Sequence, residues 1–218
     1  MKTVKIFLLG AIFLFSVNSF AQTTFGVRGG LNLADVSMKI SGIGIDATTM
    51  KPGFHIGAIM DHSLTDIFAF ETGLMLDTKG TKIKSSAIGD VSGEAVTNIF
   101  YLDVPVNLKA SYDFGGIGVY GLFGPYVGVA LSSKDKYTGE FKNVSGMSEY
   151  DNEIGSSDDD DLKRMDFGLM MGAGIEIDKF QLGVGYDLGL ANIDPAGDSD
   201  NFVKNRVLKI SVGLMFGK

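Results

Sequence analysis

From residue 25 onward, apolar and polar side chains alternate with a period of two along eight segments of the chain. The segments are residues 25–34, 54–61, 68–77, 100–109, 119–131, 166–176, 180–191 and 207–216. Strict alternation predicts β-strands, because successive side chains of a strand point to opposite faces. Most of these strands are about 9–13 residues long, whereas ordinary strands average about 5–6 residues and membrane-spanning strands need about 9–11.

The connections between the predicted strands alternate in length. Long polar links cover residues 36–50, 80–97, 132–163 and 192–205, and short turns cover residues 62–66, 113–116 and 178–179. This arrangement is typical of outer-membrane barrels, in which short turns face the periplasm and long loops face outside. We therefore predict an all-β fold, an eight-stranded antiparallel up-and-down transmembrane β-barrel.

A soluble lipocalin-like barrel is the competing architecture, and residue size separates the two. One face of nearly every strand carries bulky apolar residues, and the other face combines glycine with single charges. The interior of an eight-stranded barrel is only wide enough for side chains to fill it, so the bulky face is expected to meet lipid. Aromatic residues at the ends next to the short turns fit an interfacial girdle: Phe25, Phe68, Tyr112, Phe114, Phe180 and Phe216.

Two prolines lie inside predicted strands and call for a local explanation. Pro105 and Pro125 cannot donate to a strand ladder, so we expect a bulge or a break in pairing beside them. The alternative is that the strands over residues 100–109 and 119–131 each divide into two, which would spoil the alternation of loop lengths.

The first 21 residues have the form of a secretory signal peptide. Lys2 and Lys5 precede an apolar stretch over residues 6–17, and Ser19-Phe20-Ala21 offers a cleavage site before Gln22. An N-terminal membrane anchor is the alternative, but the apolar run is too short to span a bilayer. We expect a signal peptide over residues 1–21 and an outer-membrane barrel domain over residues 22–218.

Composition narrows the possible functions. The chain has no cysteine, which excludes disulfides, thiolate metal sites and cysteine nucleophiles. Its formal charge is −7, and loss of the two lysines of the signal peptide makes it −9, so nucleic acid is not an expected partner. The expected partners are outer-membrane lipid and an extracellular or envelope protein, with the chain itself a monomer.

Charged residues on the predicted inner face form the candidate site. They are Arg28, Glu71, Asp103, Lys109, Asp166, Glu176, Asp187 and Lys209. Unpaired charges are costly in a narrow interior of low dielectric constant, so these residues should pair or hold water. We favour a packed structural network that closes the barrel over a gate or a proton or ion path.

Signals for catalysis or metal binding are weak. His55, with Ser41 and Asp46 in the preceding link, is a poor constellation for an enzyme acting on lipid, and a hydrogen-bonded structural histidine is favoured. The acidic link over residues 149–161 could bind Ca²⁺, but it lacks the spacing of a dedicated calcium loop. We therefore expect no enzyme activity, no catalytic residue, no metal and no cofactor.

Residues 101–109, Tyr-Leu-Asp-Val-Pro-Val-Asn-Leu-Lys, resemble the characteristic strand of the Bacteroidota outer-membrane β-barrel family, of the PorT/porin-family type. Residues 25–33, 124–128, 166–174 and 205–216 are similar to other strands of that family. The resemblance implies a small barrel of the OmpA/OmpX-like kind but no single activity. We expect a structural or surface-interaction role through long acidic extracellular loops. The alternatives are a surface adhesin, a narrow porin-like channel, a secretion-associated envelope component and a lipid-acting enzyme at the rim.

Overall fold

The computed structural model describes residues 22–217 except for residues 46–47, 85–92, 140–146, 156 and 158. The predicted signal peptide therefore lies outside the described residues. Eight long strands are present: β1 (Thr23–Ile40), β4 (Lys51–Ser63), β5 (Phe68–Lys84), β6 (Gly93–Asp113), β7 (Ile117–Gly139), β11 (Met165–Ile177), β12 (Phe180–Gly189) and β13 (Phe202–Phe216). Five short strands are β2 (Ile43–Ile45), β3 (Thr48–Thr49), β8 (Met147–Asp151), β9 (Ile154–Gly155) and β10 (Leu162–Lys163). Within the described residues, no helix has the length and apolar character needed to cross a membrane.

The eight long strands pair in a closed antiparallel ring. The order is β11-β12-β13-β1-β4-β5-β6-β7, and β7 pairs back with β11. The short strands lie outside this ring: β2, β3 and β8 pair antiparallel with β1, β5 and β7, while β9 and β10 pair with each other in parallel. The all-β, antiparallel prediction is confirmed, but the described part of the chain has thirteen strands rather than eight.

The register of the ring is offset in one direction all the way around. Paired residues can be followed from Thr23 through His62, Phe70, Leu108, Phe123, Met171, Tyr186 and Leu208. This path returns to β1 at Leu33, ten residues beyond its start. The strands are therefore inclined to the axis of the ring, as closure of a sheet requires.

The three predicted short turns are confirmed, at residues 64–67, 114–116 and 178–179. In the second turn, the Asp113 carboxylate accepts hydrogen bonds from the backbone N–H groups of Gly115 and Gly116, at 2.7 and 2.9 Å. Such a side-chain bond closes a tight turn without help from the rest of the fold.

The predicted long links were wrong in extent, because much of them is strand. β1 continues to Ile40, β5 to Lys84 and β7 to Gly139. The extensions of β5 and β7 are mostly polar, so they lack the apolar alternation of the segments nearer the short turns, whereas the extension of β1 still alternates through Val36, Met38 and Ile40. Cross-strand contacts hold them instead, among them the ion pair between Lys82 of β5 and Glu94 of β6.

The prolines interrupt pairing without dividing their strands. The β5–β6 ladder stops where Thr72 pairs with Val106 and resumes where Met75 pairs with Asp103, so Pro105 falls in the gap. The Pro105 carbonyl still accepts a hydrogen bond from the Thr72 hydroxyl, at 2.7 Å. The predicted local break is thus confirmed at Pro105, and the bulge lies a few residues away, where the β6–β7 register shifts at Phe100/Tyr101.

The outer face of the ring is apolar, as the alternation predicts. Large side chains such as Val104, Val184 and Val212 are 37%, 58% and 54% exposed. The six aromatic residues predicted for the girdle are all on this outer surface, near the short turns or the neighbouring ends of β1 and β13. A belt of this kind is stable only where water is excluded from it.

The inner face is bulkier than the sequence suggests. Besides glycines and charges, it buries the rings of Tyr101, Tyr120 and Tyr126. The strands approach closely where glycine allows it: a methyl group on Gly30 would overlap the Ile210 carbonyl oxygen of β13. Large inner side chains thus alternate with glycines, which is how a narrow ring is filled.

Candidate functional site

Polar side chains inside the ring form two ion-paired networks. The first, called the Arg28 network, consists of Arg28, Asp61, Glu71, Lys109, Glu176 and Gln181. The second, called the Lys79–Lys209 network, consists of Asp77, Lys79, Asp103, Asp166, Asp187 and Lys209. Each network draws on at least four of the ring strands, so it ties distant parts of the chain together.

The Arg28 network lies toward the short turns. The Arg28 guanidinium donates to both oxygens of Glu71, at 2.8 and 2.7 Å, and to the Gln181 side-chain carbonyl at 2.9 Å. Lys109 lies 2.7 Å from Asp61 and 2.6 Å from Glu176. Bidentate arginine–carboxylate pairs fix geometry as well as charge, so this network sets the relative positions of β1 and β5.

The Lys79–Lys209 network lies toward the long links. Lys79 is fully buried, with its ammonium 2.9 Å from Asp103 and 3.0 Å from Asp166. The same ammonium lies over the rings of Tyr101 and Tyr126, 4.6 and 4.2 Å from their centroids. Carboxylates and ring faces together replace the water that a buried ammonium loses.

Lys209 is held in a similar way by the other two carboxylates of this network. Its ammonium lies 3.0 Å from Asp77 and 2.6 Å from Asp187. Asn32 donates to Asp77 at 2.9 Å, which supplies a further partner for that carboxylate. Both lysines of the network therefore sit between two acids.

All eight residues of the predicted site lie on the inner face and take part in one network or the other. Sequence reasoning missed Asp61, Asp77 and Lys79. Asp61 and Asp77 stand at the alternate positions of their strands that point to the inner face, and Lys79 is the next such position after Asp77. Lys79 was missed because the predicted strand stopped too early.

Little free space remains between the networks. A cavity of about 20 Å³ is enclosed by members of both, including Arg28, Asp103 and Lys209. That is room for about one water molecule. Apolar side chains also pack inside the ring, where Ile59, Met75 and Met215 form a buried cluster.

His55 is a hydrogen-bonded interior residue rather than part of a catalytic group with Ser41. Its ring nitrogens lie 2.6 Å from the Asn32 side-chain oxygen and 2.9 Å from the Ser211 hydroxyl. Ser41 is exposed and its backbone N–H donates to Asn201, while Asp46 lies outside the described residues. These contacts support the structural role of His55.

The acidic segment around residues 149–161 is engaged in local contacts. Glu149 and Asp151 lie 3.2 and 3.3 Å from the Lys134 ammonium, and Asp161 accepts a bond from the Glu153 backbone. Asp158 lies outside the described residues. The described part of the chain brings no three His, Cys, Asp or Glu residues into a group that could hold a metal.

A pocket of about 280 Å³ opens at the end of the ring opposite the short turns, and we call it the mouth pocket. Its walls come from β1, β5, β6, β7 and β13 and from residues 152, 161–162 and 193–194. The buried cluster of Ile99, Tyr101, Ala130, Leu162 and Ile193 lies at its inner side. Tyr137 stands near this opening, where burial and the Asp135 carboxylate raise the pKa of its phenol.

Comparisons with known proteins place these features in a family. The chain is similar to Ail of Yersinia pestis (13% identity, TM-score 0.42), with 89% of this chain and 99% of that chain covered. It is also similar to OprG from Pseudomonas aeruginosa (16% identity, TM-score 0.45), with 89% and 96% covered. No curated protein matches the chain. The sequence pattern of the outer membrane protein beta-barrel domain matches residues 20–194, which is most of the chain. The chain therefore belongs to the family of outer membrane beta-barrel domain proteins, and it is an integral outer-membrane β-barrel protein.

Proposed function

We propose that this protein is an eight-stranded barrel with a closed interior, which anchors an acidic surface outside the cell. The observation that carries the proposal is the ion-paired filling of the ring. Two networks occupy its interior and enclose a cavity of only about 20 Å³ between them. Breaking a buried ion pair costs about 3–5 kcal/mol, so the two networks should not separate readily to let ions through the ring.

The topology further supports a monomer in outer-membrane lipid, and the formal charge of −7 is the reason that nucleic acid is not proposed as a partner. Every ring strand pairs on both sides within the same chain, which leaves no open edge in the ring itself. The pattern of residues 101–109 supports assignment to the Bacteroidota PorT/porin type. A non-enzymatic role is proposed as well, because both nitrogens of His55 are engaged by structural partners.

Conductance of the purified protein in a planar bilayer tests the closed interior. We expect rare or small events and no persistent steps on the scale of a porin. Steady, large steps from protein whose folding has been verified by circular dichroism would favour the narrow-channel alternative instead.

Orientation can be tested with single cysteines, because the natural chain has none. Ser199 lies in an exposed link at the open end, and Asp66 lies in an exposed short turn at the other end. The two variants are therefore Ser199→Cys and Asp66→Cys. A membrane-impermeant maleimide should label whole cells carrying Ser199→Cys but not those carrying Asp66→Cys. Both variants should react equally after the cells are lysed, and the reverse pattern would contradict the proposed orientation.

Location and processing form a separate test. The protein should fractionate with outer membranes, resist carbonate extraction and begin at Gln22 after cleavage of residues 1–21. Recovery from the soluble periplasm would overturn the proposed anchoring in lipid.

The acidic surface is the proposed contact for an extracellular or envelope protein. Glu149, Asp151 and Glu153 are exposed and lie in the segment that follows β7. The triple variant Glu149→Gln/Asp151→Asn/Glu153→Gln should reduce binding of polylysine-coated beads to cells displaying the protein. Wild-type binding should fall with added salt, because exposed charges are screened. Equal binding by wild type and triple variant would remove this surface from the proposal.

A further inference from the structure

The mouth pocket combines an apolar wall with a group of carboxylates. Ile99 of β6 is 1% exposed, and Leu162 and Ile193 from the links are 7% and 3% exposed. These side chains form a dry side against which a hydrocarbon or aromatic body could pack. The volume of about 280 Å³ suits a small ligand rather than a polymer.

Three acids line the same pocket without a cationic partner among the described residues. They are Asp135, Asp161 and Asp194, and no described lysine or arginine lines the pocket with them. Asp135 accepts bonds from the neutral groups of Asn152 and Tyr137, at 3.2 Å each. The pocket therefore carries negative charge that the described residues do not neutralise.

A buried hydroxyl group points to a ligand independently of the acids. Thr81 lies on β5, lines the pocket and is 6% exposed. Its Oγ1 has no hydrogen-bond partner within the described structure. Buried hydroxyl groups are nearly always hydrogen-bonded, so this one is open to a partner that the described residues do not supply.

We propose that the mouth pocket binds a small primary amine with an apolar body. The ammonium group donates to the Thr81 hydroxyl and lies among the three carboxylates, while the apolar body packs on Ile99 and its neighbours. An anion of the same shape is repelled, and a neutral analogue lacks the charge that the acids attract. The proposal rests on the proposed function in one respect, because the pocket is open to the exterior only in the proposed orientation of the ring.

The direct test is titration of the whole folded protein in lipid nanodiscs with 2-phenylethylamine, using isothermal calorimetry and empty nanodiscs as the blank. We expect saturable binding to wild type that is at least tenfold tighter than binding of 2-phenylethanol. Phenylacetate, which carries the opposite charge, should show no saturable binding.

Two variants locate the site, and one serves as a matched control. Thr81→Val keeps the shape of the side chain and removes its hydroxyl, and Asp135→Asn removes one charge. Each should weaken amine binding several-fold, whereas Asp66→Asn, the same charge change at the far end, should leave it unchanged.

Equal binding of the amine and the alcohol would overturn the proposal in favour of a merely apolar pocket, and no saturable binding at all would also overturn it. Failure of the closed-barrel function is recognised separately, by loss of β-sheet circular dichroism in nanodiscs or by large conductance steps.

Discussion

Replacing Lys79 with methionine should destabilise the protein more than any exposed charge change on the same strand. The ammonium of Lys79 is fully buried between Asp103 and Asp166, 2.9 and 3.0 Å away. Methionine preserves most of the volume but leaves two buried carboxylates facing each other. Removing one partner of a buried ion pair costs about 3–5 kcal/mol, and we expect a loss of that size in the free energy of unfolding.

Replacement of Lys79 should destabilise the Asp103 carboxylate more than the Asp166 carboxylate. Asp166 keeps neutral donors in Tyr126 and Asn205, at 3.3 and 3.0 Å, whereas Lys79 provides the short contact to Asp103. The double variant Lys79→Met/Asp103→Asn removes one charge of each sign. It should recover at least half of the free energy lost in the single variant.

Equilibrium urea unfolding in phospholipid vesicles, followed by circular dichroism, measures these differences. Lys82→Met is the control, because Lys82 forms a partly exposed pair with Glu94 and should change stability by about 1 kcal/mol or less. If Lys79→Met unfolds at the same urea concentration as Lys82→Met, interior ion pairing does not stabilise the ring.

Three further outcomes are expected. Val184→Arg places a charge on the apolar outer belt and should cost about 2–4 kcal/mol in the same urea assay; unchanged stability would mean that the outer face of β12 is misassigned. Gly30→Ala should destabilise the ring through overlap with the β13 backbone, whereas Gly121→Ala, whose nearest neighbour is 3.8 Å away, should be tolerated; equal midpoints would refute the close approach. Backbone N–H groups of Asp200 and Asn201 donate to the exposed Asp198 carboxylate and hold its pKa below the ordinary 3.8. These hydrogen bonds should therefore hold the turn together above pH 3.8 and be lost as the pH falls through the lowered pKa. A carbon-13 NMR titration midpoint at or above 3.8 would contradict this.

Alternation of side chains predicts the ring strands because lipid and a filled interior impose opposite demands on the two faces. The pattern at residues 100–109 is clear for this reason, with Val104 and Val106 outside and Asp103 and Asn107 inside. Beyond the apolar belt the outer face meets water, and the signal fades although the backbone pairing continues. The extensions of β5, β6 and β7 could therefore not be predicted from hydrophobicity.

The sequence predicts which charged residues point into the ring, but it does not predict which of them pair with each other. Parity places Arg28 and Glu71 inside, but only the three-dimensional register brings these residues, 43 positions apart, into a bidentate pair. The mouth pocket left no sequence signal, because Thr81 and Asp135 belong to segments interpreted as loops. Their meeting depends on how far each strand continues past the apolar belt.

The ten-residue offset of the ring determines how much height each residue of a strand adds along the axis of the ring. With eight strands about 4.8 Å apart and a rise of about 3.3 Å per residue, that shear corresponds to a tilt of about 40° and a radius of about 8 Å. Each residue then climbs about 2.5 Å, so about ten residues cross an apolar band about 25 Å tall. β12 has only 10 residues, whereas β6 and β7 have 21 and 23. The rim is consequently uneven: the ends of β6 and β7 that lie away from the short turns extend about 25 Å beyond an apolar band of that height, whereas β12 ends close to the band.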